Sequence, residues 1–193
     1  MGRLMVEVKN VSKSFGDNVV LDKISFNVEE GENFVVFGMS GSGKSVLLKC
    51  MVGLLEPDSG EIRINGESVL NLSVDKMNEI RKHIGFLFQS AALYDSMTVR
   101  ENLEFPLIRN FNFTPEQRYE KVKNVLDKVG LLDAIDKKPA ELSGGMKKRI
   151  GLARTIITEP RLILYDEPTT GLDPITTKEI SQLMVKLQED LNV

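Results

Sequence analysis

The sequence predicts an α/β fold with a mostly parallel sheet, an antiparallel β subdomain at the N-terminus and an inserted helical subdomain. Three features of the 193 residues support this prediction: alternating segments near the start, continuous apolar runs of strand length, and helical segments between those runs. Alternation is typical of strands with one solvated face, whereas continuous apolar runs are typical of strands covered on both faces. The chain therefore combines two kinds of strand.

The alternating segments come first. Residues 4–11 and 19–28 alternate in part, and residues 61–65 form a third such segment that ends at the pair Asn65-Gly66. An Asn-Gly pair after a short alternating run is typical of a tight turn that ends a strand. We therefore predict three half-exposed strands of the antiparallel type.

Three continuous apolar runs follow, at residues 34–37, 84–88 and 162–165. Runs without alternation suit strands that lie between crossover helices. We expect all three to be covered on both faces in a parallel sheet.

Helical segments separate these runs. Thr114 and Gln117 form a capping box at the start of one helix, and Gly130 is a stop signal at its end. Apolar residues recur on one face of this helix and of the last one. The other predicted helices cover residues 44–54, residues 145–158 and the segment that follows Pro174.

We assign the chain to one domain with three parts. In a parallel sheet the last helix would lead into another strand, so we expect this domain to be incomplete at its C-terminus. The parts are the antiparallel β subdomain at 1–34 and 60–70, the core at 35–59, 71–89 and 159–193, and the helical subdomain at 90–158.

The composition excludes several classes of protein. The net charge of −3 argues against a strongly basic nucleic-acid binder. One Cys and one His exclude an internal disulfide framework and sites rich in either residue. No apolar run approaches 18 residues, and residues 1–10 lack the apolar segment of a secretory signal. These features predict a cytoplasmic globular domain.

Residues 38–45 match the phosphate-binding pattern G-x-x-x-x-G-K-[ST], between an apolar run and a helix. Glycines let several backbone N–H groups point at one oxyanion, and the helix adds the positive end of its dipole. Lys44 is predicted to contact the β- and γ-phosphates and Ser45 to bind Mg²⁺. The predicted phosphate contacts are Gly38, Ser40, Gly41, Ser42, Gly43, Lys44, Ser45 and Val46.

Two adjacent acids, Asp166 and Glu167, end the apolar run at 162–165. Ligands bind at the carboxyl ends of strands in open α/β sheets. We predict that Asp166 holds Mg²⁺ and that Glu167 polarises the attacking water as a general base. Together with the phosphate loop, these acids predict a P-loop nucleotide hydrolase.

A third motif narrows the class. The sequence Leu-Ser-Gly-Gly-Met at residues 142–146 precedes a helix and resembles the signature motif of ABC-type ATPases. The segment Gly-Leu-Asp-Pro at residues 171–174 is similar to the D-loop of that family, and Gln89 stands where its Q-loop glutamine does. The resemblance covers essentially the whole chain, with the motifs in the order of the family.

This resemblance implies further roles. Phe15 stands where the family has an aromatic residue that stacks on adenine, and Gln89 would bind Mg²⁺ and take part in catalysis. The family forms a head-to-tail dimer, in which Ser143, Gly144 and Gly145 of one subunit cap the ATP held by the other and Asp173 lies at the interface. ATP, Mg²⁺, a second ATPase subunit and a membrane permease are therefore the expected cofactors and partners, and no nucleic acid is.

The sequence departs from the family pattern at two places. Met146 replaces the usual Gln of the signature, and His83 precedes Gln89, so it cannot be the switch histidine of the family. We expect His83 to be an exposed residue before a strand and the switch histidine to follow Val193. The basic run at residues 147–149 either steers ATP or forms a solvated helix face, and we favour the solvated face.

Residues 88–99 and Met146 are similar to the ATPases of bacterial Mla/Mce-type lipid transporters. This similarity implies lipid transport from the cytoplasmic face of the membrane, with the protein attached through a permease. Leu93, Tyr94 and Met97 then either contact that permease or pack the helical subdomain. Amino-acid or other small-solute import, a soluble non-transport ABC ATPase and a nucleotide-binding module without turnover are the alternatives.

Overall fold

The computed structural model describes residues 2–191 and 193. These residues form two compact units, one that ends at Arg81 and includes Val193, and one that begins at Lys82.

The first unit is built on a four-stranded antiparallel sheet. Its strand order is β2-β1-β3-β4, and Val8 of β1 faces both Phe26 of β2 and Ile62 of β3. Val6 and Val8 are buried because alternate side chains of β1 point to the covered face, and Val11 is buried beyond an irregularity in the register between Val8 and Val11. The strands are β1 (Leu4–Phe15), β2 (Asn18–Glu29), β3 (Ser59–Ile64) and β4 (Glu67–Ser68).

Two helices lie in this unit, α1 (Lys44–Met51) and, except for its last residue, α2 (Val74–Lys82). Helix α1 ends three residues earlier than residue 54, the end predicted from the sequence. Arg81 holds this end in place, since its Nε donates to the carbonyl of Val52 at 2.9 Å and its Nη2 to that of Gly53 at 3.0 Å. The thiol of Cys50 in α1 is free and buried.

The prediction of a buried strand at residues 34–37 is wrong. This segment belongs to no strand, and the exposed fractions of Val35 and Phe37 are 63% and 90%. A run of apolar residues becomes a covered strand only where a neighbouring strand pairs with its backbone. The described sheet of this unit is made of β1 to β4 alone, so it gives the segment no strand partner.

The second unit contains a parallel pair of strands, as the sequence predicts. Ile84 pairs with Leu162, and Leu87 pairs with Tyr165. Helices surround this pair and form a core with it. The elements are β5 (Ile84–Leu87), α3 (Val99–Asn110), α4 (Pro115–Lys128), α5 (Gly144–Ile156), β6 (Leu162–Tyr165) and α6 (Pro174–Leu191).

The core of the second unit lies where α3, α4 and α5 meet. Leu103 and Leu107 of α3, Leu126 of α4, and Ile150 and Leu152 of α5 are all fully buried. Such burial contributes about 1.5–3 kcal/mol for each large aliphatic side chain. The core therefore fixes α5 firmly in this unit.

Helix α3 was not predicted from the sequence, although its start carries a recognisable signal. The hydroxyl of Thr98 accepts from the N–H of Glu101, whose carboxylate accepts from the N–H of Thr98, which is a complete capping box. Pro106 lies inside this helix. A proline disfavours helix interiors, so it hides the signal in a reading of the sequence alone.

No helix in the described part of the chain combines the length and the apolar character needed to cross a bilayer.

Candidate functional site

The phosphate loop at residues 38–45 lies in the first unit. Gly41 and Gly43 have φ values of 79° and 96°, in the left-handed region that glycine adopts without strain. A Cβ atom on Gly43 would lie 2.9 Å from the carbonyl oxygen of Val20. The second glycine of the motif is therefore required twice, for its backbone angle and for its close approach to β2.

The loop leads directly into α1. Gly43 occupies the N-cap position, where it offers no side chain to satisfy the first N–H groups of the helix. No acidic residue lies in the first turn of α1. The N-terminus of α1 is therefore suited to an external anion, which would accept from these N–H groups and interact with the helix dipole.

Lys44 folds back over the loop that precedes it. Its Nζ donates to the carbonyl oxygens of Gly38 at 3.0 Å and Met39 at 2.9 Å. These contacts hold the ammonium group above the turn instead of letting it extend from the surface. A phosphate bound in the loop would lie beside this positive charge.

Phe15 ends strand β1 in the same unit, and 49% of its side chain is exposed. The ammonium of Lys13 lies 5.6 Å from the centre of its ring. An exposed aromatic ring with a polarising cation is suited to stacking on a base.

The acidic pair lies in the second unit, at the carboxyl end of β6. Asp166 is buried, and its N–H donates to the carbonyl of Leu87 at 2.9 Å, which joins the ends of the two parallel strands. Glu167 has a φ of 47°, a backbone angle that non-glycine residues rarely adopt. Residues in sparsely populated backbone regions concentrate at functional sites.

Two side chains hold the carboxylate of Glu167. Gln89 donates from Nε2 to Glu167 Oε2 at 3.1 Å, and the hydroxyl of Thr170 donates to the same oxygen at 3.1 Å. The sequence predicted the roles of Gln89 and Glu167 separately, and the structure brings the two into contact. Thr170 was missed, because one threonine five residues after a strand end carries no distinctive signal.

The signature residues begin helix α5. Ser143 is the N-cap, and its hydroxyl accepts from the N–H of Met146 at 3.2 Å. A Cβ on Gly145 would lie 2.9 Å from a methyl carbon of Thr176. Glycine at this position therefore lets the start of α5 lie against the start of α6.

Asp173 caps the start of α6. Its Oδ1 accepts from the N–H groups of Ile175 and Thr176, both at 3.0 Å, and its Oδ2 accepts from the Thr176 hydroxyl at 2.5 Å. Hydrogen bonds from Thr176 lower the pKa of the Asp173 carboxyl. Asp173 is thus an N-cap in this chain, whatever contact it makes at an interface.

The prediction of a solvated face for the basic run at residues 147–149 is wrong for Lys148. Only 6% of Lys148 is exposed, and its Nζ donates to the backbone carbonyl of Gln89. The helical spacing of Lys148 from the buried residues Gly151 and Thr155 was the signal that could have revealed this. His83 is exposed and precedes β5, as predicted.

The side chains in the described part of the chain include no group of three or more His, Cys, Asp or Glu placed to hold a metal ion. Ser45 of the first unit and Asp166 and Gln89 of the second offer hydroxyl, carboxylate and amide oxygens. Taken one at a time, each of these oxygens is a hard donor of the kind that Mg²⁺ prefers.

A family model described as ABC transporter matches residues 21–170. The chain belongs to the ABC transporter family, as an ATP-binding domain. This membership confirms the predicted family and its fold. Among solved structures, the chain aligns with a dimeric ATP-binding cassette in a post-hydrolysis state bound to ADP and Pi, with a TM-score of 0.87 and 36% identity over 96% of this chain and 84% of that one.

Several curated members of the ABC transporter family are similar in sequence. The chloroplastic protein TRIGALACTOSYLDIACYLGLYCEROL 3 of Arabidopsis thaliana is 44% identical over 94% of this chain and 54% of that protein. The intermembrane phospholipid transport system ATP-binding protein MlaF of Haemophilus influenzae is 41% identical over 100% of this chain and 73% of that protein.

The methionine import ATP-binding protein MetN of Clostridium tetani is 39% identical over 98% of this chain and 59% of that protein. The chain spans about half the length of the first of these curated ABC relatives, 54% in the Arabidopsis protein.

Proposed function

We propose that this chain is the ATP-binding and ATP-hydrolysing part of an ABC transporter, in which hydrolysis drives a membrane permease. The observation that carries the proposal is the carboxylate of Glu167, held at the end of β6 by Gln89 and Thr170. A carboxylate held in a fixed orientation can polarise the attacking water as a general base. A nucleotide-binding module without turnover would have no need of it.

ATP binds to the phosphate loop in this proposal. The N–H groups of the loop and of the first turn of α1 donate to the phosphate oxygens, and Lys44 exchanges its contacts with Gly38 and Met39 for the β- and γ-phosphates. Phe15 stacks on the adenine ring. The remaining loop contacts are those given by Ser40, Gly41, Ser42, Gly43, Ser45 and Val46.

Mg²⁺ supplies positive charge to the phosphates, and Ser45, Asp166 and Gln89 would hold it. The side chain of Gln89 donates to Glu167 through Nε2, so its amide oxygen is the atom suited to the metal. Glu167 then orients the attacking water and accepts its proton. The backbone angle and the two donors of Glu167 maintain that orientation.

A second ATPase subunit completes the site. Ser143, Gly144 and Gly145 of that subunit cap the γ-phosphate from the N-terminus of α5, and Asp173 lies at the interface between subunits. The similarity to a dimeric cassette bound to ADP and Pi supports this arrangement. The N-terminus of a helix that begins with glycines is again suited to an anion.

The transported substrate in this proposal is a phospholipid, and the protein attaches to the cytoplasmic face of the membrane through its permease. The phospholipid transport ATPase of Haemophilus influenzae supports this choice. The methionine import relative of Clostridium tetani supports a second candidate, import of an amino acid. Tyr94, which is 44% exposed, is the best placed of the three apolar residues after Gln89 to contact a permease.

The test of hydrolysis replaces Glu167 with Gln in the full-length protein. We expect Glu167→Gln to bind ATP with unchanged affinity and to lower kcat by about 10²–10⁴, the range of one general base. Fluorescent ATP titration and phosphate release measure the two quantities. Glu120→Gln, a matched change on the exposed face of α4, should leave both unchanged.

Hydrolysis by Glu167→Gln at the parental rate would overturn the assignment of the base. For the substrate, reconstitution with the co-purified permease in vesicles should couple ATP turnover to movement of a labelled phospholipid. Stimulation by methionine instead of phospholipid would favour the second candidate.

A further inference from the structure

Lys148 is a cation in the interior of the second unit. Its neighbours on the same face of α5 include the buried residues Gly151, Leu152 and Thr155. A buried ammonium group is costly unless hydrogen bonds or an opposite charge compensate for the lost water. The position therefore calls for a specific partner.

That partner is the backbone of Gln89. Lys148 Nζ donates to the Gln89 carbonyl oxygen, and the side chain of the same glutamine donates to Glu167 Oε2 at 3.1 Å. Gln89 thus joins the two contacts. Its backbone carbonyl accepts from Lys148 of α5, and its side-chain amide donates to the carboxylate of Glu167.

Helix α5 holds the rest of this segment as well. Arg154 donates to the carbonyl of Ala91 and to that of Ala92, each at 2.8 Å. Both alanines have positive φ values, 59° and 47°, in a backbone region that is unfavourable for residues with a Cβ atom. The segment after β5 is therefore held in an unfavourable backbone conformation by side chains of one helix.

Electrostatics supports the same geometry. Burial lowers the pKa of Lys148, and the nearby negative charge of Glu167 acts in the opposite direction. Lys148 therefore lies within the electrostatic influence of Glu167 as well as in contact with Gln89.

We propose that Lys148 is a positioning residue for ATP hydrolysis: it fixes the backbone of Gln89 so that the glutamine side chain reaches Glu167. The inference rests on the proposed function, since it concerns the same site. It also links the signature mechanically to the general base. Ser143 caps helix α5, and Lys148 lies in that same helix. A shift of α5 then changes the geometry at Glu167.

The test compares Lys148→Met and Lys148→Arg in the full-length protein. Methionine keeps most of the length and the apolar packing of the side chain but has no donor, so kcat should fall about 10- to 100-fold, as a small misplacement of a reacting group does. The KM and Kd for ATP should stay within twofold. Arginine restores a donor and should recover most of the kcat. Lys128→Met, an exposed lysine at the end of α4, is the control and should match the parent.

Two readouts separate positioning from a merely structural role. In a Gln89→Ala background, Lys148→Met should cause little further loss of kcat, because both changes disrupt the same contact, that of the Gln89 side chain with Glu167. Hydrogen exchange of the peptide at residues 86–97 should be faster in Lys148→Met than in Lys128→Met, and this measurement is independent of turnover. If Lys148→Met fails to fold, Lys148→Gln is used for the same comparison.

Each result has a distinct meaning. Any one of three results would overturn the inference. The first is a parental kcat in Lys148→Met. The second is a double variant in which Lys148→Met lowers the kcat of Gln89→Ala by the same factor as it lowers that of the parent, and the third is unchanged hydrogen exchange at residues 86–97. An inactive parent, or an active Glu167→Gln variant, would instead overturn the proposed function. In that case faster exchange in Lys148→Met would still show that Lys148 holds the Gln89 segment.

Discussion

At the scale of single residues, some polar side chains in the interior of the second unit are hydrogen-bonded and others are not. Backbone carbonyls accept hydrogen bonds from the side chains of Lys148, Arg154 and Asn102. The amide of Asn102 donates to three carbonyls, those of Tyr94, Met97 and Thr98. Tyr165 differs from them. Its hydroxyl is buried and has no hydrogen-bond partner within the described residues. An unsatisfied buried hydroxyl costs about 1–3 kcal/mol.

Tyr165→Phe should therefore stabilise the protein at neutral pH by about 1 kcal/mol. Burial also raises the pKa of Tyr165 to about 12, against about 10 in an unfolded chain. The stability of the neutral buried phenol is fully present below pH 10 and is lost as pH rises from 10 towards 12. The advantage of Tyr165→Phe should consequently grow over that range.

Urea unfolding followed by circular dichroism at pH 7.5 and near pH 11 measures the difference. Tyr119→Phe removes a hydroxyl from an exposed ring and serves as the matched control. A Tyr165→Phe variant that is less stable than the parent at neutral pH would show that the hydroxyl has a favourable partner.

At the scale of elements, α5 packs against the parallel strands through close glycine contacts. A Cβ on Gly85 of β5 would lie 2.7 Å from the carbonyl oxygen of Thr155, and one on Gly151 of α5 would lie 2.8 Å from a methyl carbon of Leu87. Both glycines permit the helix to approach β5 closely. This approach is what brings Lys148 within reach of Gln89.

Gly85→Ala should lower the free energy of unfolding by about 1–3 kcal/mol, because the added methyl meets backbone that cannot rotate away. Gly144→Ala is the control, since its methyl would meet only a methyl carbon of Leu172, at an ordinary 3.7 Å. Chemical denaturation of both variants gives the comparison. Equal stability of the two would mean that α5 can move away from β5 without cost.

The sequence predicted elements well where local pattern and tertiary context agree. The runs at 84–88 and 162–165 became the parallel pair, and the capping box at Thr114 began α4, as predicted. The run at 34–37 failed because apolar character does not specify a strand partner. Helix α3 was missed because Pro106 contradicts a good start signal at Thr98.

The candidate site shows the same division. A motif of fixed spacing predicted the phosphate loop, because phosphate binding requires particular residues in consecutive positions. The end of an apolar run predicted the roles of the acids at 166 and 167. The contact between Gln89 and Glu167 joins residues far apart in the chain, so their roles were predicted separately, that of Gln89 from the resemblance to a family alone. Lys148 and Thr170 were not recognised, since burial and side-chain direction decide their roles.

At the scale of the whole molecule, the two nucleotide-binding features lie in different units. The phosphate loop and Lys44 belong to the first, whereas Gln89, Glu167 and the signature belong to the second. Binding of the phosphates can therefore be separated from the groups proposed for hydrolysis. The variants above at Lys148 and Glu167 test the second unit, and a change at Lys44 tests the first.

ATP should stabilise the folded chain through the first unit. A ligand that binds only the folded state at 100 times its Kd adds about 2.7 kcal/mol, which is roughly 5–10 °C in Tm for a chain of this size. Lys44→Ala should lose most of this shift, because the β- and γ-phosphates lose their principal cationic partner while the glycines of the loop remain. Removal of Mg²⁺ with a chelator should reduce the shift of the parent protein.

Thermal denaturation with and without Mg-ATP measures these shifts. Lys49→Ala removes a lysine from the last turn of the same helix and should keep the full stabilisation, so it controls for the loss of charge and of helix packing. Glu167→Gln should also keep it, because its change lies in the hydrolytic step. A Lys44→Ala variant stabilised by ATP as strongly as the parent would place the nucleotide somewhere other than the loop at 38–45.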